Sequence, residues 1–157
     1  DGDVAPRLDD VAFEPADARR HHASLLGEVV RMLCAGVVHG DLSEFNILLS
    51  ADGPVVIDLP QAVDAAGNNH ASRMLLRDVA NLRGFFGRFA PELLDTAYGP
   101  EIWDLYRRGL LTTATPLTGR FEPDASTIDL AAVMREIDDA RAEEAARRLH
   151  RAAADAA

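Results

Sequence analysis

VVHGDLSEFNILLSADGPVVID, residues 37–58, places a carboxylate at Asp41, an amide at Asn46 and a second carboxylate at Asp58. Ile47-Leu48-Leu49 and Val55-Val56-Ile57 are two short apolar runs of β-prone residues. Ser50-Ala51-Asp52-Gly53-Pro54 lies between them, rich in turn formers and with Asp-Gly at its centre, which predicts an antiparallel hairpin. Asn46 and Asp58 are equally far from Asp52, so the spacing predicts that they face each other at the open end. The loop from Asp41 to Phe45 then brings the first carboxylate beside them. Phosphoryl transfer needs a group to orient or deprotonate an attacking hydroxyl, and oxygen ligands for the divalent cations that bridge the phosphates. This stretch supplies both kinds.

Asp41-x-x-x-x-Asn46 preceded by His39 resembles the catalytic loop of protein kinases, and Asp58 falls where the kinase metal aspartate lies. Ser43 stands where ordinary protein kinases carry a lysine, and Leu59-Pro60-Gln61 follow Asp58 in place of Phe-Gly. HGDLSEFNILL with IDLPQAV is more similar to the RIO-type atypical serine/threonine kinases, whose pattern is H-x-D-L-S-E-[FY]-N followed by I-D-x-x-Q. That resemblance implies an α+β fold, a mostly helical kinase-like large lobe with a small β-hairpin carrying the metal ligands. It implies an ATP-dependent phosphotransferase, a serine/threonine kinase or an ATPase, with ATP as co-substrate and Mg²⁺ or Mn²⁺ as cofactor. Asp41 would be the catalytic aspartate, orienting the acceptor hydroxyl or water. Asn46 and Asp58 would bind metal, and Asp58 would be a transient phosphoryl acceptor during ATP hydrolysis.

The resemblance carries further roles. Leu48, two residues beyond Asn46, matches the floor of the adenine pocket, and Ile57, read as its neighbour across the hairpin, would flank it. Ser43 and Glu44 lie close enough in sequence to touch the nucleotide phosphates or their surroundings, or to be solvated loop residues. His39 is expected to pack inward and hydrogen-bond the backbone, supporting the loop rather than acting as a base. Phe45 is expected to anchor the loop in the core. Family members act in small ribosomal subunit maturation, but no residue here marks a ribosome site.

The 157 residues are 48% hydrophobic and 27% charged, enough for one globular domain with a real core. A net charge of -10 argues against broad adhesion to nucleic acid or anionic lipid. Cys34, the one cysteine, excludes an intrachain disulfide and reads as a buried apolar residue. No apolar run reaches membrane-spanning length and no signal peptide is visible, so a cytoplasmic protein without membrane contact is the default expectation. All sixteen basic residues are arginine, and no Gly-rich phosphate-covering loop occurs. A kinase reaches the α/β-phosphates with a lysine on the third strand of its small lobe. The expectation is therefore a large lobe whose N-lobe lies outside these residues.

Working outward, residues 1–12 read as a post-hinge linker, with DGDVAPRL resembling the stretch that follows the hinge in RIO-type kinases. Residues 13–110 read as the kinase-like lobe. Glu14 to Ala35 is predicted helical, with Pro15 in its first turn, Gly36 at its stop, and Leu25, Leu26, Val29, Val30 and Leu33 on one face. His21 and His22 are predicted at its polar side. About a dozen residues separate Asp58 from the next helix, too few for a long activation segment. Asn69 is predicted to cap a helix over 70–89, which resembles the family's R-D-x-x-N helix. Asp78 is the candidate acceptor for catalytic-loop amides, with a surface partner for Arg77 or Arg83 as the alternative. Gly99-Pro100 is expected to break the helical stretch after Pro91, with Trp103, Leu105, Tyr106 and Leu110 in core or interface. Residues 111–126 read as a loop. Residues 127–157 read as a C-terminal helix, packed on the lobe or extending from it, with Ser126 or Thr127 as its cap. Two further functions stay open: a small-molecule phosphotransferase of the aminoglycoside or choline kinase type, and a non-catalytic binding lobe. Ser43-Glu44-Phe45 and the short chain argue against the first, while the absent lysine supports the second.

Overall fold

The computed structural model describes residues 5–57, 62–66 and 70–156. They fall into two compact units, one up to Phe121 and one from Glu122 onward. The fold is α+β and mostly helical, with short antiparallel strands, as the sequence predicts.

The first unit opens with residues 5–7 extended along the hairpin. The Leu49 N–H donates to Pro6 O at 2.8 Å, and Arg7 bridges Leu48. A 3-10 turn over Leu8–Asp10 follows, and Leu8 is wholly buried. Helix α1 spans Pro15–Cys34 with proline in its first turn. Its buried face is Ala18, His22, Leu25, Leu26, Val29, Val30 and Leu33, a stripe at helical spacing. Each leucine so buried contributes about 1.5–3 kcal/mol. His22 belongs to that stripe, four residues after Ala18 and three before Leu25, so the prediction that both histidines are surface residues is corrected. It packs edge-on to Phe86 and tilted to Tyr98, and its Nε2 has no hydrogen-bond partner among the described residues. Cys34 also departs from expectation: it is exposed, because the last turn of α1 carries it off the buried stripe.

Strand β1 is Val37–Val38, and the hairpin strands are β2, Ile47–Ser50, and β3, Gly53–Val56. Strand β4, Val63–Asp64, pairs antiparallel with β1, Val37 opposite Asp64 and Val38 opposite Val63. Two residues are too few for a periodic signal, and the sequence predicts no element here. Helix α2, Ala71–Phe86, starts after His70, which makes no side-chain cap. The predicted cap, Asn69, lies outside the described residues. Phe85, Phe86 and Phe89 meet Phe13 with ring centroids 5.5–6.1 Å apart, closing the core between α1 and α2.

Gly99-Pro100 does not break a helix but sits in the first turn of α3, Tyr98–Arg107. Proline is tolerated there because its missing N–H would have no partner in the helix. Glycine eases a close crossing of α3 on α2: a Cβ at Gly99 would stand 3.2 Å from Leu76 Cδ2, which would have to give by a few tenths of an ångström, and 3.5 Å from Val79 Cβ. Trp103 and Tyr106 pack on the core, whereas Leu110 is half exposed, beyond the helix end. The segment after α3 is anchored through Glu101, whose carboxylate accepts from the N–H groups of Thr118 and Gly119 at 2.8 and 2.9 Å.

The second unit is dominated by α4, Ile128–Asp155. Thr127 precedes it but makes no cap bond to the helix; its hydroxyl instead accepts from the Asp124 N–H at 2.7 Å. Ser126 turns back to the same residue, donating to Asp124 Oδ1 at 2.7 Å. No described helix is long and apolar enough to cross a membrane.

Candidate active site

The catalytic-loop candidate starts where β1 ends. Gly40 has φ +87°, a left-handed conformation that glycine adopts without a Cβ penalty, and it turns the chain sharply into Asp41. The Asp41 side chain is exposed, open to an incoming molecule. The Asp41 N–H donates to His39 Nδ1 at 3.1 Å. That nitrogen is therefore the acceptor, which puts the ring proton on Nε2, facing Ile57 O at 3.4 Å. His39 is buried and thus ties the loop's first residues to the end of the hairpin.

Asp78, 2% exposed, reaches the loop from α2. Its Oδ2 accepts from the Gly40 N–H at 2.8 Å, and its Oδ1 from the Leu42 N–H at 2.9 Å. Burial pushes this carboxyl up to about 6, and the two amides, His39 and Arg77 pull in the opposite direction. Arg77 donates to Gly40 O at 3.1 Å and Asn81 to Leu42 O at 2.9 Å. The sequence gives Asn81 no role and offers Arg77 only as a surface partner of Asp78. Their signal was a polar strip at i, i+1 and i+4 on a helix that is otherwise apolar.

Asn46 sits where the loop becomes β2. Its Nδ2 donates to Asp41 O at 2.5 Å, which turns the amide so that Oδ1 points away from that bond. The hairpin register pairs Ser50 with Gly53 and Ile47 with Val56. Its two central turn residues are therefore Ala51 and Asp52. The spacing argument centred the turn one half-step later, on Asp52. The register instead sets Asn46 opposite Ile57, whose N–H donates to Asn46 O at 2.8 Å. Asp58, the second metal candidate, follows Ile57 and lies outside the described residues. Leu48 faces Val55 rather than Ile57. Leu48 and Ile57 still share one face of the hairpin as diagonal neighbours, with Ile47, Leu49 and Val56 on the core side.

Ser43 Oγ accepts from the Phe45 N–H at 3.3 Å, a local turn that shapes the loop, and Glu44 is half buried. Phe45 is 52% exposed, so it is not the core anchor expected. Leu42, beside Asp41, holds that place at 1% exposure. Among the described residues no three of His, Cys, Asp and Glu gather as a metal cluster. The donor set at issue is of another kind, an amide and a carboxylate. Its described half, Asn46, offers the hard oxygen that Mg²⁺ prefers.

The chain belongs to the RIO family: residues 1–98 match the family described as the RIO domain. It is 41% identical over 86 residues to the RIO-type serine/threonine-protein kinase Rio1 of Haloferax volcanii, covering 52% of this chain and 29% of that protein. It is 38% identical over 85 residues to the human serine/threonine-protein kinase RIO1, covering 54% of this chain and 15% of that protein. A probable serine/threonine-protein kinase RIO1 homolog of Encephalitozoon cuniculi is 36% identical over 87 residues, covering 55% and 22%. The chain thus spans less than a third of the length of these relatives.

Proposed function

We propose that this chain is the large lobe of an ATP-dependent phosphotransferase that acts on a serine or threonine hydroxyl, or on water. The observation that carries the reading is the 2.5 Å bond from Asn46 Nδ2 to Asp41 O, which locks the amide candidate for metal binding against the residue that carries the exposed carboxylate. Asp41 would accept or orient the proton of the attacking hydroxyl. Asn46 Oδ1 and Asp58 would hold Mg²⁺ or Mn²⁺, which when bound neutralises charge on the transferring phosphoryl group. Leu48 and Ile57 lie on the hairpin face away from the core and would floor the adenine site. Ser43 keeps its hydroxyl proton free of the Phe45 bond and would donate to a phosphate oxygen, with Glu44 beside it. His39 and Asp78 would support the loop.

The 157 residues contain no lysine, so the group that grips the α/β-phosphates would come from an N-lobe outside them. Alone, the chain is expected to bind nucleotide weakly and to turn over ATP very slowly. Joined to an N-lobe, encoded upstream or grafted from a relative, it should release or transfer labelled γ-phosphate. Asp41→Ala in that form should lower turnover at least about a hundredfold. Undiminished turnover in Asp41→Ala would remove this reading. Transfer to an aminoglycoside or choline in preference to protein or water would replace it with the small-molecule one.

A further inference from the structure

Gly40, Asp41 and Leu42 present six backbone polar groups, three N–H and three C=O, in a stretch whose neighbours Gly40 and Leu42 are buried. All six are satisfied by side chains. His39 and Asn46 take the N–H and C=O of Asp41 itself. Helix α2 takes the other four: Asp78 the two amides, Arg77 the carbonyl of Gly40, and Asn81 the carbonyl of Leu42. A loop without regular structure has no ladder to absorb these groups, and a buried group left unpaired destabilises it. Three residues at helical positions 77, 78 and 81 lie within one 100° arc of α2. That arc meets the peptide groups on both sides of Asp41 and leaves its side chain to solvent.

We propose that Arg77 and Asn81 are positioning residues for Asp41: Arg77 holds the carbonyl of the peptide plane that enters Asp41, and Asn81 holds Leu42 O, one plane beyond the plane that leaves it, so that the loop is pinned on both sides and the carboxylate keeps one direction. This rests on the phosphotransferase reading above. Without these two bonds the plane that enters Asp41 would be held only at its N–H, by His39, and the Leu42–Ser43 plane would lose its hold at Leu42 O; the two carbonyl bonds supply the second grip. Arg77 is exposed as a residue whereas Asp78 is buried, so the part-buried Arg77 bond to Gly40 O is the part of the clamp that can be altered with least disturbance of the core.

The test uses Arg77→Met, which keeps the apolar stem without a donor, Arg77→Lys, which restores one, and Asn81→Asp, which keeps the shape and replaces donor by acceptor. In the chain joined to an N-lobe, Arg77→Met and Asn81→Asp should each lower kcat about tenfold or more while KM for ATP stays within about twofold. Arg77→Lys should regain most of the loss. In the 157-residue chain itself, amide exchange at Gly40, Asp41 and Leu42 should quicken about tenfold in both losing variants, with global unfolding little changed for Arg77→Met. Wild-type kcat and unchanged loop exchange in Arg77→Met, with Asp41→Ala inactive, overturn the clamp and leave the phosphotransferase reading standing. Activity surviving in Asp41→Ala overturns that reading instead, and with it the catalytic purpose of the clamp. Where Asn81→Asp does not fold, the Arg77 pair decides the matter alone.

Discussion

His22 and Asp78 are the two buried titratable residues whose charges the core resists, and they resist in opposite senses. Burial lowers the His22 imidazole to about 4, so the folded chain refuses a proton that the unfolded chain takes below pH 6.5. Its contribution to stability is present above pH 6.5 and is lost as pH falls toward 4. Burial raises the Asp78 carboxyl to about 6 from 3.8, so the folded chain holds a proton that the unfolded chain releases. That contribution is full below about pH 4 and is lost as pH rises through 6. Each is worth on the order of 3 kcal/mol across its window, and between pH 4 and 6 they oppose each other. Urea midpoints measured over this range should rise with pH more steeply in Asp78→Asn than in wild type. In His22→Phe they should fall with pH relative to wild type. Parallel profiles for all three proteins would contradict both assignments. Asp78 was legible because one carboxylate on an apolar helix face must find donors. His22 was not, because two adjacent histidines differ by 100° around the helix and only one of them falls on the stripe begun by Ala18.

At the scale of elements, α2 is the scaffold on which the loop, α1 and α3 are all assembled. Its C-terminal end is as tightly fitted as its polar strip. A Cβ at Gly87 would stand 2.3 Å from Leu94 Cδ2 and 2.7 Å from Arg83 O. The leucine tip can move but the backbone carbonyl cannot, so Gly87→Ala is expected to cost about 1–3 kcal/mol, read as a lower urea midpoint with an unchanged slope. An unchanged midpoint would show that the turn after α2 relaxes freely. The helices were readable because their apolar stripes are long. The hairpin was readable because Asp-Gly punctuates two β-prone runs. Its register was not, because a half-step in the turn centre moves every cross-strand partner while leaving the pattern of alternation unchanged. The β1–β4 pairing was hidden for another reason: it joins two-residue strands distant in sequence, and its stability comes from the neighbours it sits among rather than from its own residues.

At the scale of the molecule, the RIO family membership covers the first 98 residues, and within them the candidate site draws on four separated pieces of chain: residues 39–46, the hairpin, α2, and the segment at Pro6 and Arg7 that lies along β2. The first three were visible as motifs. The fourth was read as a linker, because a Gly, Pro and Asp-rich segment gives no period, and only the fold shows that Leu8 nails it to the core. That segment has a colloidal consequence. A two-stranded hairpin has two open edges, and each is a template on which another chain can add a strand. Here the outer edge of β2 is occupied by Pro6 and Arg7, while β3 carries Pro54, which has no N–H to offer. Deleting residues 1–7 is therefore expected to expose the Leu48–Leu49 edge and to produce concentration-dependent light scattering at temperatures where the intact chain stays monodisperse. Equal scattering from both would show that the edge is guarded by something else. Pro6 and Arg7, in a stretch that reads as linker in the sequence, would thus keep this protein from polymerising through its own candidate-site hairpin.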